Sequence, residues 1–195
     1  MDIPPGQHVL KHFIYYSALK PPKVDIDDYR FEVSVNVENP RSFTYNELIS
    51  MIDFNGKMNF HCVTGWSVLD IQMEGVTFKK ISDIVKPHGK YAYFISLDGY
   101  TTVVPYEDFL KGILLLRMNG RPLSYEEGFP ARPFFEHLYA WKSAKWVTKL
   151  QFLNEYIDGY WEMYGYHERG NVWLEERFKS EEAKRLRKSP MQSVF

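Results

Sequence analysis

Apolar and polar positions alternate over Tyr29–Val37, with Phe31, Val33, Val35 and Val37 set between Glu32, Ser34 and Asn36. That period of two predicts a half-buried strand, closed by Asn39–Pro40. Thr44–Tyr45–Asn46–Glu47 then has capping-box spacing ahead of Leu48, Ile49, Met51 and Ile52, which predicts a short helix from about Tyr45. Met58–Val63 reads as a strand that Gly65 and Ser67 break as a strand-to-loop turn would. Gly75–Val76–Thr77 introduces a helix over Phe78–Val85, with Ile81, Ile84 and Val85 on one face and Pro87 as its stop.

Strands are predicted at Tyr91–Leu97 and Tyr100–Val104, around an Asp98–Gly99 turn. A short helix over Pro105–Leu110 and a strand over Ile113–Met118 follow, the latter ending at the turn signal Asn119–Gly120. Gly128–Pro133 reads as a loop, and Ala144–Phe152, with Trp146, Leu150 and Phe152 alternating, as a strand. After an aromatic stretch, Tyr156–Tyr166, the segment Leu174–Lys188 is expected to be a charged helix with its Arg and Lys toward the C-terminal end. Residues 1–23 form a proline-bracketed leader whose patch His12–Phe13–Ile14–Tyr15–Tyr16 should pack on the body. Short strands alternating with short helices, without long regular βα units, indicate a mixed α+β fold.

A length of 195 residues suits one domain, or one domain with extensions, and 17% aromatic content supplies a sizeable core. The net charge of −1 gives no field suited to nucleic acid. The single cysteine excludes an intrachain disulfide and suits a reducing compartment. The start Met1–Gly6 lacks a basic region followed by an apolar one, and the longest apolar run, Ile113–Leu116, is far too short to cross a bilayer. The expectation is a soluble cytoplasmic protein.

Chemistry concentrates in two places. Cys62, at the end of an apolar strand, reads as a core residue, a nucleophile or a metal ligand. Arg132 in its Gly/Pro loop, with Lys142, Ser143 and Lys145 ahead of a strand, forms a plausible site for a phosphate or phosphate ester. Lys142 and Lys145 converge only if the chain turns between them. His61 would face away from Cys62 in a regular strand, and His137 and His167 have no second ligand at zinc spacing. A nucleophile elbow and a P-loop are absent, while a Cys–His pair assembled from distant positions stays open.

Phe60–His61–Cys62–Val63–Thr64–Gly65–Trp66–Ser67 resembles the cysteine motif of the sulfite oxidase-like molybdopterin oxidoreductases. Met118–Leu123 with Gly128–Arg132, then Tyr139–Trp146, are similar to later motifs of the same family, and Trp161–Glu162, Gly165–His167 and Glu175–Phe178 resemble the tail of its small bacterial and archaeal members. The resemblance runs in order from about Pro4 to Phe178. It implies one molybdopterin-binding domain of α+β fold over residues 1–178, leader 1–28 included, with 179–195 as a charged tail. It implies molybdenum held by a pyranopterin dithiolene and by the Cys62 thiolate. Cys62, Trp66 and Thr102 would be catalytic, with Thr101 also on the substrate side. Phe13, Tyr15, Tyr16, His61, Arg132, Lys142, Ser143 and Lys145 would hold the cofactor. The implied reaction is two-electron oxygen-atom transfer on a small oxyanion or sulfoxide-type substrate, with a separate electron-transfer partner, no nucleic acid and no membrane span. The arginines that follow the ligand cysteine in sulfite oxidases proper are missing here, which argues against sulfite, and Glu127 stands where His or Asn is usual. Two other classes are a non-catalytic binder of the same cofactor and a cysteine-nucleophile enzyme.

Overall fold

The computed structural model describes residues 3–180. Among the described residues, two sheets carry the fold. The first contains β1 (His8–Val9), β4 (Phe54–His61), β5 (Trp66–Thr77), β8 (Ile113–Met118), β9 (Arg121–Pro122) and β10 (Arg132–Phe134). The second runs in the order β3 (Arg41–Thr44), β2 (Arg30–Ser34), β11 (Val147–Leu153), β6 (Tyr91–Ser96) and β7 (Thr101–Pro105). Four short α-helices lie among the described residues: α1 (Tyr45–Ser50), α2 (Phe78–Val85), α3 (Tyr106–Phe109) and α4 (Tyr160–Met163). This is the α+β arrangement that the alternation of short elements predicts. No helix among the described residues is long and apolar enough to cross a membrane.

Local chemistry explains the helix starts. Thr44 accepts from the Glu47 N–H while the Glu47 carboxylate accepts from the Thr44 N–H, a reciprocal cap on α1. Thr77 caps α2 through the Lys80 N–H, and Lys86 ends it in the left-handed region.

The strand β8 is buried on both faces. Leu114 and Leu116 enter the main core with Phe31, Phe78, Phe94 and Phe152, whereas Ile113 and Leu115 enter a second core with Trp66, Met73 and Phe134. That double burial is why Ile113–Leu116 reads as an unbroken apolar run. A third, smaller cluster joins Tyr139, Trp141, Tyr166 and Val172.

Several expectations need correction. The strand predicted to Val37 stops at Ser34, because Val35 and Asn36 take φ of 63° and 50°. The segment after Gly65 is not just a loop leading to a helix: it is β5, the longest strand of the fold, paired along one edge with β4 and along the other with β1 and then β8. Asp70, at φ 56°, interrupts its alternation. Arg132–Pro133, expected in a loop, begin β10 antiparallel to β8. The strand expected from Ala144 begins at Val147, since Trp146 turns the chain at φ 53°. Leu174–Ser180 is irregular rather than helical; the remainder of that predicted helix lies outside the described residues.

Candidate functional site

β4 ends at His61, and the chain reverses through Cys62–Trp66 into β5. The Cys62 N–H donates to the Trp66 carbonyl at 2.8 Å and the Gly65 N–H to the Cys62 carbonyl at 3.1 Å, which closes a tight turn. Gly65 is required there: its φ is +98°, and a Cβ would lie 3.1 Å from the Gly6 carbonyl. The turn leaves the Cys62 sulfur half-buried, 3.1 Å from the Thr64 hydroxyl. Trp66 stacks on Phe60 with centroids 5.3 Å apart, and Phe13 of the leader meets Phe60 edge-on at 5.1 Å.

Cys62 opens into a cavity of about 500 Å³. Two cations, Arg132 and Lys145, line the same cavity. Arg132 is buried and held by Ser143, whose hydroxyl and carbonyl accept from Nε at 2.9 Å and Nη2 at 2.7 Å, and by the Glu127 carbonyl at 2.9 Å. Burial lowers its pKa to about 10. These bonds use one N–H on each guanidinium nitrogen and leave one on each Nη for an anion. Lys145 Nζ donates to the Tyr16 carbonyl at 2.8 Å. Burial, and then the Arg132 charge, lower the Lys145 pKa to about 8.

Two carboxylates also line the cavity, Asp98 and Glu127. Burial pushes Asp98 up. On Glu127 burial acts the same way, but the Arg121 fork, at 2.7 and 2.9 Å, and the Ser124 N–H outweigh it and hold the pKa below the usual value.

The structure thus brings Cys62, Trp66, Phe13, Tyr15, Tyr16, Arg132, Ser143 and Lys145 to one cavity. It does not bring Thr102, His61 or Lys142 there. Lys142 is fully buried, and its ammonium donates to the Glu162 carboxylate, the Val103 carbonyl at 2.7 Å and the Glu168 carbonyl. The short 3₁₀ turn Ala140–Lys142 sends it inward, so Lys142 and Lys145 do not converge. Thr102 is fully buried 3.5 Å from Glu162 Oε1. His61 faces a separate, polar hollow with Glu136 and His137, and its Nδ1 lies 2.8 Å from Ser67 Oγ. Burial lowers its pKa to about 4. Sequence reasoning missed Asp98 and Tyr100 as cavity residues, since nothing in their local pattern sets them apart from core or turn positions; Trp146, within the Tyr139–Trp146 motif, also lines the cavity.

A family model described as the oxidoreductase molybdopterin-binding domain matches residues 18–161. The chain is 38% identical over 181 residues to the uncharacterized oxidoreductase YuiH of Bacillus subtilis, across 90% of this chain and 91% of that one. It is 25% identical over 162 residues to the protein-methionine-sulfoxide reductase catalytic subunit MsrP of Burkholderia mallei, across 73% of this chain and 49% of the relative. The fold matches the crystal structure of the sulfane dehydrogenase SoxCD from Paracoccus pantotrophus with a TM-score of 0.63 and 22% identity, over 69% of this chain and 40% of that one. The chain therefore spans most of YuiH but about half or less of the MsrP and SoxCD chains.

Proposed function

The chain belongs to the oxidoreductase molybdopterin-binding domain family, and from that membership we propose a molybdenum-dependent enzyme of two-electron oxygen-atom transfer acting on a small, neutral sulfoxide-type substrate. The observation that carries this reading is the shared cavity: one thiol and two buried or half-buried cations line the same space. The residues fit the cofactor. Among the described residues no three His, Cys, Asp or Glu side chains converge to hold a metal. Cys62 would give one soft ligand beside those that the cofactor itself would bring. The remaining N–H groups of Arg132 and the Lys145 ammonium suit the cofactor's phosphate.

When bound, the molybdenum pyranopterin would supply the oxygen-atom transfer and the two electrons. The chain's own residues do the rest. Cys62 would supply one ligand to the metal, and the Thr64 hydroxyl, 3.1 Å from the sulfur, would donate to the thiolate and steady its negative charge. The Phe60–Trp66 pair, with Trp141 and Trp161, walls the cavity and excludes water. Asp98 places a carboxyl in the cavity wall, and burial raises its pKa. Val63, Thr64 and Trp66 beside the sulfur bring no charge, which favours a neutral sulfoxide over an anion such as sulfite. The MsrP relative is named a catalytic subunit of a reductase for protein methionine sulfoxide, and we extend both points here: sulfoxide reduction, with electrons from a separate protein. A Cys–His nucleophile fits less well, because the sulfur's neighbour is Thr64 while His61 faces the other hollow.

Full-length protein from a host that makes molybdopterin should contain molybdenum and pterin in equal amounts. It should reduce methionine sulfoxide with a reduced viologen donor and leave sulfite unoxidised. Protein from that host with neither molybdenum nor pterin would refute the reading.

A further inference from the structure

The Cys62 turn is gripped from outside by two segments remote in sequence. From the leader, Gln7 donates through Nε2 to the Cys62 carbonyl at 3.1 Å, and its Oε1 accepts from Ser67 Oγ at 3.0 Å. The adjacent His8 N–H donates to the Gly65 carbonyl at 2.9 Å. From the other end of the chain, Arg177 donates through Nη1 to the Val63 carbonyl, and through Nη2 to the Pro5 and Gly6 carbonyls at 3.2 and 3.3 Å. Its guanidinium lies 4.9 Å from the centre of the Tyr139 ring, and Glu175 lies 3.7 Å away. Carbonyls 62, 63 and 65 of the turn are thus each bound by a group outside it.

We infer that Gln7 and Arg177 are positioning residues that together clamp the Cys62 turn and fix where its sulfur points. A five-residue turn with a glycine at positive φ has little rigidity of its own. Thr64 is exposed, so the turn's solvent side supplies no packing. Bonds to its carbonyls from a planar, always charged guanidinium and from an amide add to the turn's own two backbone hydrogen bonds and to the packing of Cys62 and Val63 on the neighbouring cores. Arg177 is suited to this because one fork reaches the turn and the leader together, so leader and tail close on the turn as a unit. The inference rests on the reading of Cys62 as the metal ligand, but the clamp can be tested without metal.

The test is the rate at which iodoacetamide alkylates Cys62 in cofactor-free, full-length protein, with far-ultraviolet circular dichroism to confirm folding. Gln7→Ala and Arg177→Ala should each raise the rate about three- to tenfold, the weight of one net hydrogen bond expressed as an opening equilibrium. Arg177→Lys, which keeps the charge but loses the fork, should fall between Arg177→Ala and wild type and serves if Arg177→Ala fails to fold. Lys179→Ala loosens the tail's tie to Asp158 without touching the turn; it should leave the rate unchanged. Rates within twofold of wild type in folded Gln7→Ala and Arg177→Lys, or an equal rise in Lys179→Ala, would overturn the clamp. In cofactor-loaded protein the clamp variants should also lose molybdenum faster than wild type. Molybdenum missing from wild type would instead sink the cofactor reading, so the two failures are told apart.

Discussion

Lys145 Nζ donates to the carbonyl oxygen of Tyr16 at 2.8 Å, joining positions 129 residues apart and latching the aromatic leader over one wall of the cavity. The same ammonium lies 6.0 Å from the Tyr15 ring centre and 5.5 Å from that of Trp146. A cation read as a phosphate ligand is therefore also the tie that holds the leader in place.

This gives a pH dependence with a definite sign. Lys145 titrates near 8 in the folded protein against an ordinary value of 10.5. Between those values the unfolded chain holds more protons than the folded one, so this group makes stability rise as pH rises through the window. Lys145→Met should flatten that part of the stability profile, measured by urea unfolding at pH 7 and pH 10. Cofactor uptake should run the other way. An anionic phosphate prefers the ammonium, so uptake by cofactor-free protein should weaken as pH passes about 8, and Lys145→Met should lose that dependence. An unchanged uptake profile in the variant would count against Lys145 as the phosphate cation.

Thr64 offers a finer handle on the metal ligand. Its hydroxyl is 3.1 Å from the Cys62 sulfur. Hydrogen bonds to a ligating sulfur raise a centre's reduction potential by lightening the charge on the thiolate. Thr64→Val keeps the shape and removes the donor, and should lower the midpoint potential by about 20–40 mV, the equivalent of ~1 kcal/mol. Cys62→Ala should abolish activity and metal retention while the urea midpoint stays near that of wild type, since the sulfur is only half-buried. A redox titration followed by electron paramagnetic resonance reads the first variant; metal analysis and unfolding read the second.

Much of the fold was legible. The cap Thr44–Glu47, the bounds of α2 and the strand Ile113–Met118 all follow from local pattern, because capping and periodicity act over a few residues. β5 was not legible: Asp70 at positive φ shifts the alternation, and Trp66, Ser67 and Val68 are buried in a row, on both faces of the strand. The site was legible by residue type and resemblance, and only in part by position. Lys142 and Lys145 are three apart and chemically alike, yet one 3₁₀ turn sends the first into the interior and leaves the second at the cavity. Gln7 carries no local signal, and Arg177 only its place in the Glu175–Phe178 resemblance, since their role exists only once the leader and the tail meet at the turn.

Lys142 should behave as a structural residue. Its ammonium and the Glu162 carboxylate are both almost wholly inaccessible, and Trp141 Nε1 also donates to Glu162 at 3.2 Å. Glu162→Gln leaves a buried ammonium without its counter-charge and should cost about 3–5 kcal/mol in urea unfolding. The double variant Lys142→Met with Glu162→Leu should cost less than the sum of its single changes, because neither leaves a charge behind. Cofactor content per folded molecule should hold in the double variant. Its loss there, with stability intact, would return Lys142 to the cofactor site.

Gly75 supplies a test of the scaffold beneath the turn. It lies in β5 opposite Leu115, beside a register shift in the pairing with β8. A Cβ at this position would come within 2.3 Å of the Leu114 carbonyl oxygen, which is backbone and cannot swing away. Gly75→Ala must therefore push β5 from β8, strands that share both main cores, at a cost of about 1–3 kcal/mol as in other overpacked sites. Gly120→Ala is the matched control: its φ is +77° but nothing lies within 4 Å of the added carbon, so it should cost ~1 kcal/mol from the backbone alone. Urea midpoints should rank wild type, then Gly120→Ala, then Gly75→Ala. Because β5 begins at Trp66, the Gly75 variant should also show a changed near-ultraviolet tryptophan signal, which Gly120→Ala should not. Equal midpoints for the two variants would mean that β5 and β8 can separate at this point without loss, contrary to the close backbone contact.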